Sequence, residues 1–345
     1  MAAAPPRWRR LGSLLSGEEV VNCFVYLGWL YYLCRLKMVC PFLSLEKLND
    51  MRQIILGIMG LVAVVAAMST MAQGQVAETY FPYPTPPDSM VLFQQRADYF
   101  TAHFWDRCDV KSAFSAREKM RVALEDFIQM LPNTTDTVAL GAIDRFMHSL
   151  DKQPKDQVFI VEEAEAQLYS DTAQYLSDEL YIAFARPMLE NKKVGKEFKV
   201  YPGHLVRLLE GSAVGAKPPV LEYTTRDGER GSTANDFGQV TLYFFNDPDC
   251  GDCAITRARL MADIKTREMI EAGVLKVVSI YPGEYDAEWA EKVRSYPESW
   301  RVVAAADADD VYDLRFIPTF YLIYRNKIKG KGMGVTDVIN VLNQL

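Results

Sequence analysis

The chain has 345 residues, 49% hydrophobic and 12% aromatic, which is enough apolar material for two cores of ordinary domain size. Its formal charge of −7 leaves no basic stripe to neutralise phosphates, so a nucleic-acid partner is excluded. An acidic balance of this size is otherwise what solubility requires.

In chain order, the first feature is an uncharged apolar run of fifteen residues, 54–68 (IILGIMGLVAVVAAM), preceded by Arg52 and followed by Ser69, Thr70 and Ala72. That length suits a signal-peptide core and falls short of the roughly 20 residues of a membrane span. The layout predicts a signal peptide over 51–72, starting at Met51 and cut after Ala72, and therefore export to the periplasm or cell envelope. Residues 1–50 then read as an upstream extension that is not translated or, through the apolar stretch 20–36, as a membrane segment.

Residues 73–212 carry a helical period. Phe93, Ala97, Phe100 and Phe104 fall on one stripe, and Met120, Ala123, Leu124, Phe127, Ile128 and Leu131 on the next, as amphipathic helices require. Ser115 and Glu118 have the spacing of a capping box at the start of the second helix. Further helices are expected over 137–149, 157–169 and 177–190. Such aromatic stripes read as core, so this half is an all-α domain that shows no chemistry of its own.

A Gly- and Pro-rich stretch at 213–219 reads as a linker. Beyond it, 220–224 and 240–245 read as strands with a turn at Asp227-Gly228 between them. A helix is expected from Cys250 to about residue 272, a strand over 274–280, a helix over 286–294 and a strand over 302–306. A short helix over 309–314, a hairpin of 319–324 with 328–330, and a last helix over 335–345 complete the pattern. Alternating elements with unbroken apolar strands imply an α/β domain over 220–345, with a central, largely parallel sheet covered by helices on both faces.

The chemistry concentrates in FFNDPDCGDCAIT, residues 244–256. Past Ala72 the cysteines are Cys108, Cys250 and Cys253, an odd number that makes no disulfide framework. Zinc is poorly supported, because there is no second CxxC, and His103, His148 and His204 are scattered through the helical half. Cys250 follows a buried strand and stands at or just before the first turn of a helix, where free N–H groups and the helix dipole favour a thiolate. Cys253 lies one turn on, along the same face. Such a pair can exchange disulfides; a purely structural Cys250–Cys253 bond stays open as an alternative. Ile317-Pro318-Thr319 precedes a strand, and by itself a proline there reads as a strand starter with a trans bond.

With these motifs in this order, residues 220–345 resemble the thioredoxin fold, which implies a central mixed sheet with helices on both faces, and specifically the exported thiol-disulfide oxidoreductases of the TlpA/ResA type. The stretches YFTAHFWDRCDV and LYSDTAQYLSDELYIAF resemble, more loosely, a helical domain of unknown function found upstream of thioredoxin folds in Gram-negative envelope proteins. The resemblance implies that Cys250 is the nucleophile, Cys253 resolves, Pro318 is cis, and Ile317 and Thr319 flank the substrate. It implies no cofactor and no metal, protein thiols or disulfides of the envelope as partners, and a membrane-linked electron donor.

The chain also departs from that family. Asp249 stands where tryptophan usually precedes the first cysteine, Gly251-Asp252 replaces a proline-bearing pair, and Phe244 occupies the position of a buried carboxylate. Asp247, Asp249 and Asp252 crowd the thiols, and negative charge disfavours a thiolate. The expected poise is therefore reducing, although the same aspartates also suit a helix N-terminus. The alternative to a reductase is a non-catalytic thioredoxin-fold module for binding or assembly in the envelope.

Overall fold

Helical period turns into packing first in the amino-terminal half of the computed structural model, which describes residues 79–235 and 238–345. The expected signal peptide and the stretch before it lie outside these residues. Helices α1 (Phe93–His103), α2 (Arg117–Met130), α3 (Asp136–Ser149), α4 (Pro154–Leu168), α5 (Asp178–Glu190) and α6 (Val200–Gly211) enclose a core in which Phe104, Met120, Leu124, Phe127, Ile143 and Phe184 are fully buried. Trp105 stacks on Phe146 with centroids 3.9 Å apart, at the centre of an aromatic cluster that adds specificity to burial.

Three expectations for this half are corrected. Phe93, placed on the core stripe, is 67% exposed at the first position of α1, and the buried residues of that helix are Ala97 and Thr101. The Ser115–Glu118 capping box does not form: Ser115 lies in a 3₁₀ turn, and its Oγ donates to the Ser112 carbonyl at 2.6 Å. A one-turn helix, Val110–Ala113, stands just upstream with Asp109 as its cap, so α2 begins from chain already turning. Helix α6 was absent from the expected set; Pro202 and Gly203 disguise it, although proline in a first turn is tolerated.

The carboxy-terminal half is a seven-stranded sheet of order β2-β1-β5-β4-β3-β6-β7. Its strands are β1 (Glu222–Thr225), β2 (Arg230–Ser232), β3 (Val240–Phe245), β4 (Leu275–Tyr281), β5 (Arg301–Ala304), β6 (Thr319–Tyr324) and β7 (Lys327–Met333). Only β3 with β4 and β4 with β5 are parallel; β1 with β2, β1 with β5, β3 with β6 and β6 with β7 are antiparallel. The sheet is mixed, as the thioredoxin resemblance implies; the strand pattern taken alone reads as largely parallel, because an unbroken apolar strand reports burial on two faces and carries no direction. The Asp227-Gly228 turn joins β1 to the unexpected β2, with Gly228 at φ +83°, a conformation that favours glycine. Arg325 and Asn326 take positive φ in the tight β6–β7 hairpin, as a two-residue primed turn demands.

All six residues of β3 are buried. Leu242 and Phe244 enter the core beneath α7 (Gly251–Ala262), α8 (Ile264–Glu271), α9 (Ala287–Lys292) and α10 (Val335–Leu342), while Tyr243 and Phe245 join Leu221, Tyr312 and Tyr321 on the opposite face. The single helix expected after the cysteines is in fact two, broken at Asp263, which is extended and caps α8 through Thr266 N–H at 2.8 Å. Aspartate there competes with the helix for its own backbone.

The two halves form one compact unit over 79–345. Gly215 N–H donates to the Ile328 carbonyl at 2.8 Å and Ile328 N–H to the Ala216 carbonyl at 2.9 Å, so the Gly- and Pro-rich stretch pairs with the outer edge of β7.

Candidate active site

Strand β3 delivers the motif to the carboxyl edge of the sheet. Asn246 is buried and ties the loop down: its Nδ2 donates to the Phe244 carbonyl at 2.9 Å and to Ser279 Oγ on β4 at 2.8 Å, while its Oδ1 accepts from Tyr296 Oη at 3.1 Å. Asp247 closes the next turn, accepting from Asp249 N–H at its Oδ1 (2.8 Å) and from Cys250 N–H at its carbonyl (3.2 Å). Cys250 is the N-cap of α7, extended at φ −85°, ψ 120°, and its Sγ accepts from Cys253 N–H at 3.2 Å. A sulfur in that position receives the N–H and the positive end of the helix dipole.

Cys250 is half-buried and Cys253 fully buried, both as free thiols. Burial pushes the Cys253 thiol up to about 12; the Cys250 sulfur adds to the rise, and Asp247 N–H, 3.5 Å from Cys253 Sγ, opposes it. The outer sulfur can meet a substrate while the inner one stays protonated, the division of labour a two-step exchange needs.

Across β3, Thr319 stands in register with Phe245, so the Ile317–Pro318 bond, which is cis, falls at the same sheet edge as the cysteine loop. Ile317 and Pro318 are half-buried and Thr319 is buried. Phe244 Cβ points into the core, with its ring stacked on Phe320 at 4.6 Å; an aromatic layer fills this position.

The three aspartates have different surroundings. Asp247 is occupied by its turn, Asp249 pairs with Lys292 Nζ at 2.8 Å, and Asp252 lies exposed in the first turn of α7. Lys292 also meets Glu288 at 2.7 Å. Arg257 stacks over the Tyr296 ring at 3.9 Å, above the Asn246 network. Lys292, Asn246 and Tyr296 escaped the sequence reading; the one available signal was an asparagine directly following a buried strand, which needs partners if it is itself buried.

Cys108 lies half-buried in the helical half, its thiol raised to about 11 by burial and by Asp109. Among the described residues no cluster of three or more His, Cys, Asp or Glu side chains could hold a metal.

Solved structures of known proteins match this arrangement. A thioredoxin-like protein from Bacteroides caccae is 25% identical, with a TM-score of 0.65, over 77% of this chain and 98% of its own. The carboxy-terminal half is a thioredoxin-like domain. The likeness extends beyond that domain, because the shared 77% exceeds what residues 220–345 alone would supply, and so takes in helices of the first half. Residues 64–212 match a family model described as a domain of unknown function (DUF5106). A conserved protein of unknown function from Bacteroides fragilis is 32% identical over 38% of this chain and 99% of its own, with a TM-score of 0.37. The thioredoxin domain of a thiol-disulfide oxidoreductase from Bacteroides vulgatus is 20% identical over 38% of this chain and 96% of its own, with a TM-score of 0.34. No curated protein matches the chain.

Proposed function

We propose that the protein is an exported thiol-disulfide oxidoreductase that reduces protein disulfides in the periplasm or cell envelope. The observation that carries this reading is the pairing of a half-buried Cys250 at a helix N-cap with a buried Cys253 one turn deeper. The thioredoxin-like fold supports it, as does the Ile317–Thr319 segment at the same edge of the sheet. Export rests on the signal-like layout of residues 51–72.

In the reaction, the Cys250 thiolate attacks one sulfur of a substrate disulfide. A mixed disulfide forms and the first substrate thiolate leaves, taking up a proton. The Cys253 thiol then gives up its proton and attacks Cys250 Sγ, closing the Cys250–Cys253 bond and releasing the second substrate thiol. Two electrons pass from protein to substrate. A membrane-linked dithiol donor reverses the balance and restores both thiols. Pro318, with Ile317 and Thr319, shapes the groove in which the substrate backbone lies, and Asp247, Asp249 and Asp252 modulate the poise toward reduction.

Titration of the pair against glutathione and dithiothreitol, read by thiol trapping and mass, tests the proposal. The expected result is a reversible two-electron couple at or below about −200 mV, with Cys253→Ala retaining mixed disulfides at Cys250. A pair that never closes, or closes and is opened by neither reagent, overturns it and leaves the fold as a binding module.

A further inference from the structure

The helical half reaches the substrate edge of the thioredoxin-like domain. Between α4 and α5 the chain folds back, held by Tyr175 N–H on the Gln167 carbonyl at 3.2 Å and by Ser177 N–H on the Leu168 carbonyl at 3.0 Å. This delivers the start of α5 to the loop preceding Pro318. There Arg315 donates to Asp178 and, through Nε at 3.1 Å, to Asp313; it also stacks on the Tyr169 ring at 3.9 Å. Lys331 from β7 donates to Asp178 at 2.5 Å and lies 3.1 Å from Asp313.

Above this cluster lies a cleft of about 360 Å³, lined by Leu176, Asp178 and Glu179 from the helical half and by Arg315, Phe316 and Thr319 from the thioredoxin-like half. Thr319 directly follows Pro318, so the cleft continues from the groove assigned above to the substrate. Its rims are apolar: Leu176 is 53% and Phe316 44% exposed. Its charges are unequal. Arg315 and Lys331 are both committed to Asp178 and Asp313, whereas Glu179 is exposed and has no ion-pair partner among the described residues. An acidic segment entering the cleft finds no free cation, while a basic one finds Glu179.

Building on the reductase reading, we infer that residues 176–179 of the helical half form one wall of the substrate groove and select disulfides flanked by a basic and an apolar side chain. The apolar residue lies between Leu176 and Phe316, and the cation meets Glu179. The electrons still come from the Cys250–Cys253 dithiol; the wall sets which disulfide reaches it. Complementary charge of this kind acts mainly on encounter and choice of partner.

The test uses the reduced full chain and three disulfides: a cyclic peptide with Leu and Lys beside its cystine, its Leu and Glu counterpart, and neutral 2,2′-dithiodipyridine as reference. Rates are followed by mass as Cys250–Cys253 closes, and each peptide rate is divided by the reference rate. The expected result is that wild type prefers the Lys peptide, that Glu179→Lys lowers the normalised Lys-peptide rate about fivefold, as reversing one exposed charge can, and raises that of the Glu peptide. Leu176→Ser lowers both. Normalised rates that match wild type in both variants overturn the inference while leaving the reductase reading intact. A wild-type dithiol that reduces none of the three disulfides overturns both.

Discussion

Cys250 and Cys253 are three residues apart and chemically unequal. Cys250 is half-buried at the helix N-cap; Cys253 is fully enclosed, with its thiol raised to about 12. Iodoacetamide at pH 8 is expected to alkylate Cys250 and leave Cys253 unmodified, because reaction needs both access and thiolate; peptide mapping by mass checks this, and equal labelling would contradict the buried placement. The same shift has a pH consequence. The folded value lies above the ordinary 9.0, so the stability this thiol contributes is complete below pH 9 and is lost as pH rises toward 12. The spacing of the motif was legible in the sequence because a strand followed by CxxC opening a helix is a local pattern. The ion-pair partner of Asp249 was not, since Lys292 comes from another helix 43 residues away.

At the scale of elements, the apolar periods located most of the helices and strands, and the disagreements cluster where side chains act on backbone. Asp263 breaks the helix after the cysteines by accepting from Thr266 N–H at 2.8 Å and from Thr266 Oγ1 at 2.7 Å. Asp263→Ala removes that cap and is expected to destabilise the protein by about 1 kcal/mol, measured by urea unfolding of the reduced protein. An unchanged midpoint would mean that packing of Met269 alone holds α8. Ser115 errs in the opposite direction: its capping spacing is present, but the chain before it is already helical, so its hydroxyl turns back to Ser112. Capping signals are local statements that hold only when the preceding residue is extended.

The whole molecule depends on the junction of its halves. Asp313 is nearly enclosed, 4% exposed, between Arg315 and Lys331; burial alone would raise its carboxyl, yet the hydrogen bonds from Arg315 and the charge of Lys331 outweigh burial and hold it below the usual carboxylate range. A lowered folded value means stability that is present above the ordinary 3.8 and is lost as pH falls through the folded value. Acid is therefore expected to loosen the junction. Asp313→Asn leaves Arg315 and Lys331 facing Asp178 alone and is expected to cost about 3 kcal/mol. Thermal unfolding at pH 7 checks the magnitude, and a loss equally large at pH 3 would contradict the charge assignment, since below the ordinary 3.8 the unfolded carboxyl is already protonated and part of this stability is gone.

By itself the sequence determined what local rules govern: a helical half, an α/β half, the position of the CxxC pair at a strand-to-helix turn, and the proline before β6. Each follows from periodicity or from residues within a few positions of one another. Tertiary structure alone decided the rest. It set the direction of the strands, because apolar runs carry no polarity. It brought Asn246, Tyr296 and Lys292 around the cysteines, and it joined Asp178 to Arg315 across 137 residues of chain. Charge pairs of that separation leave no periodic trace, since either partner alone looks like an ordinary surface residue until the fold brings both out of water.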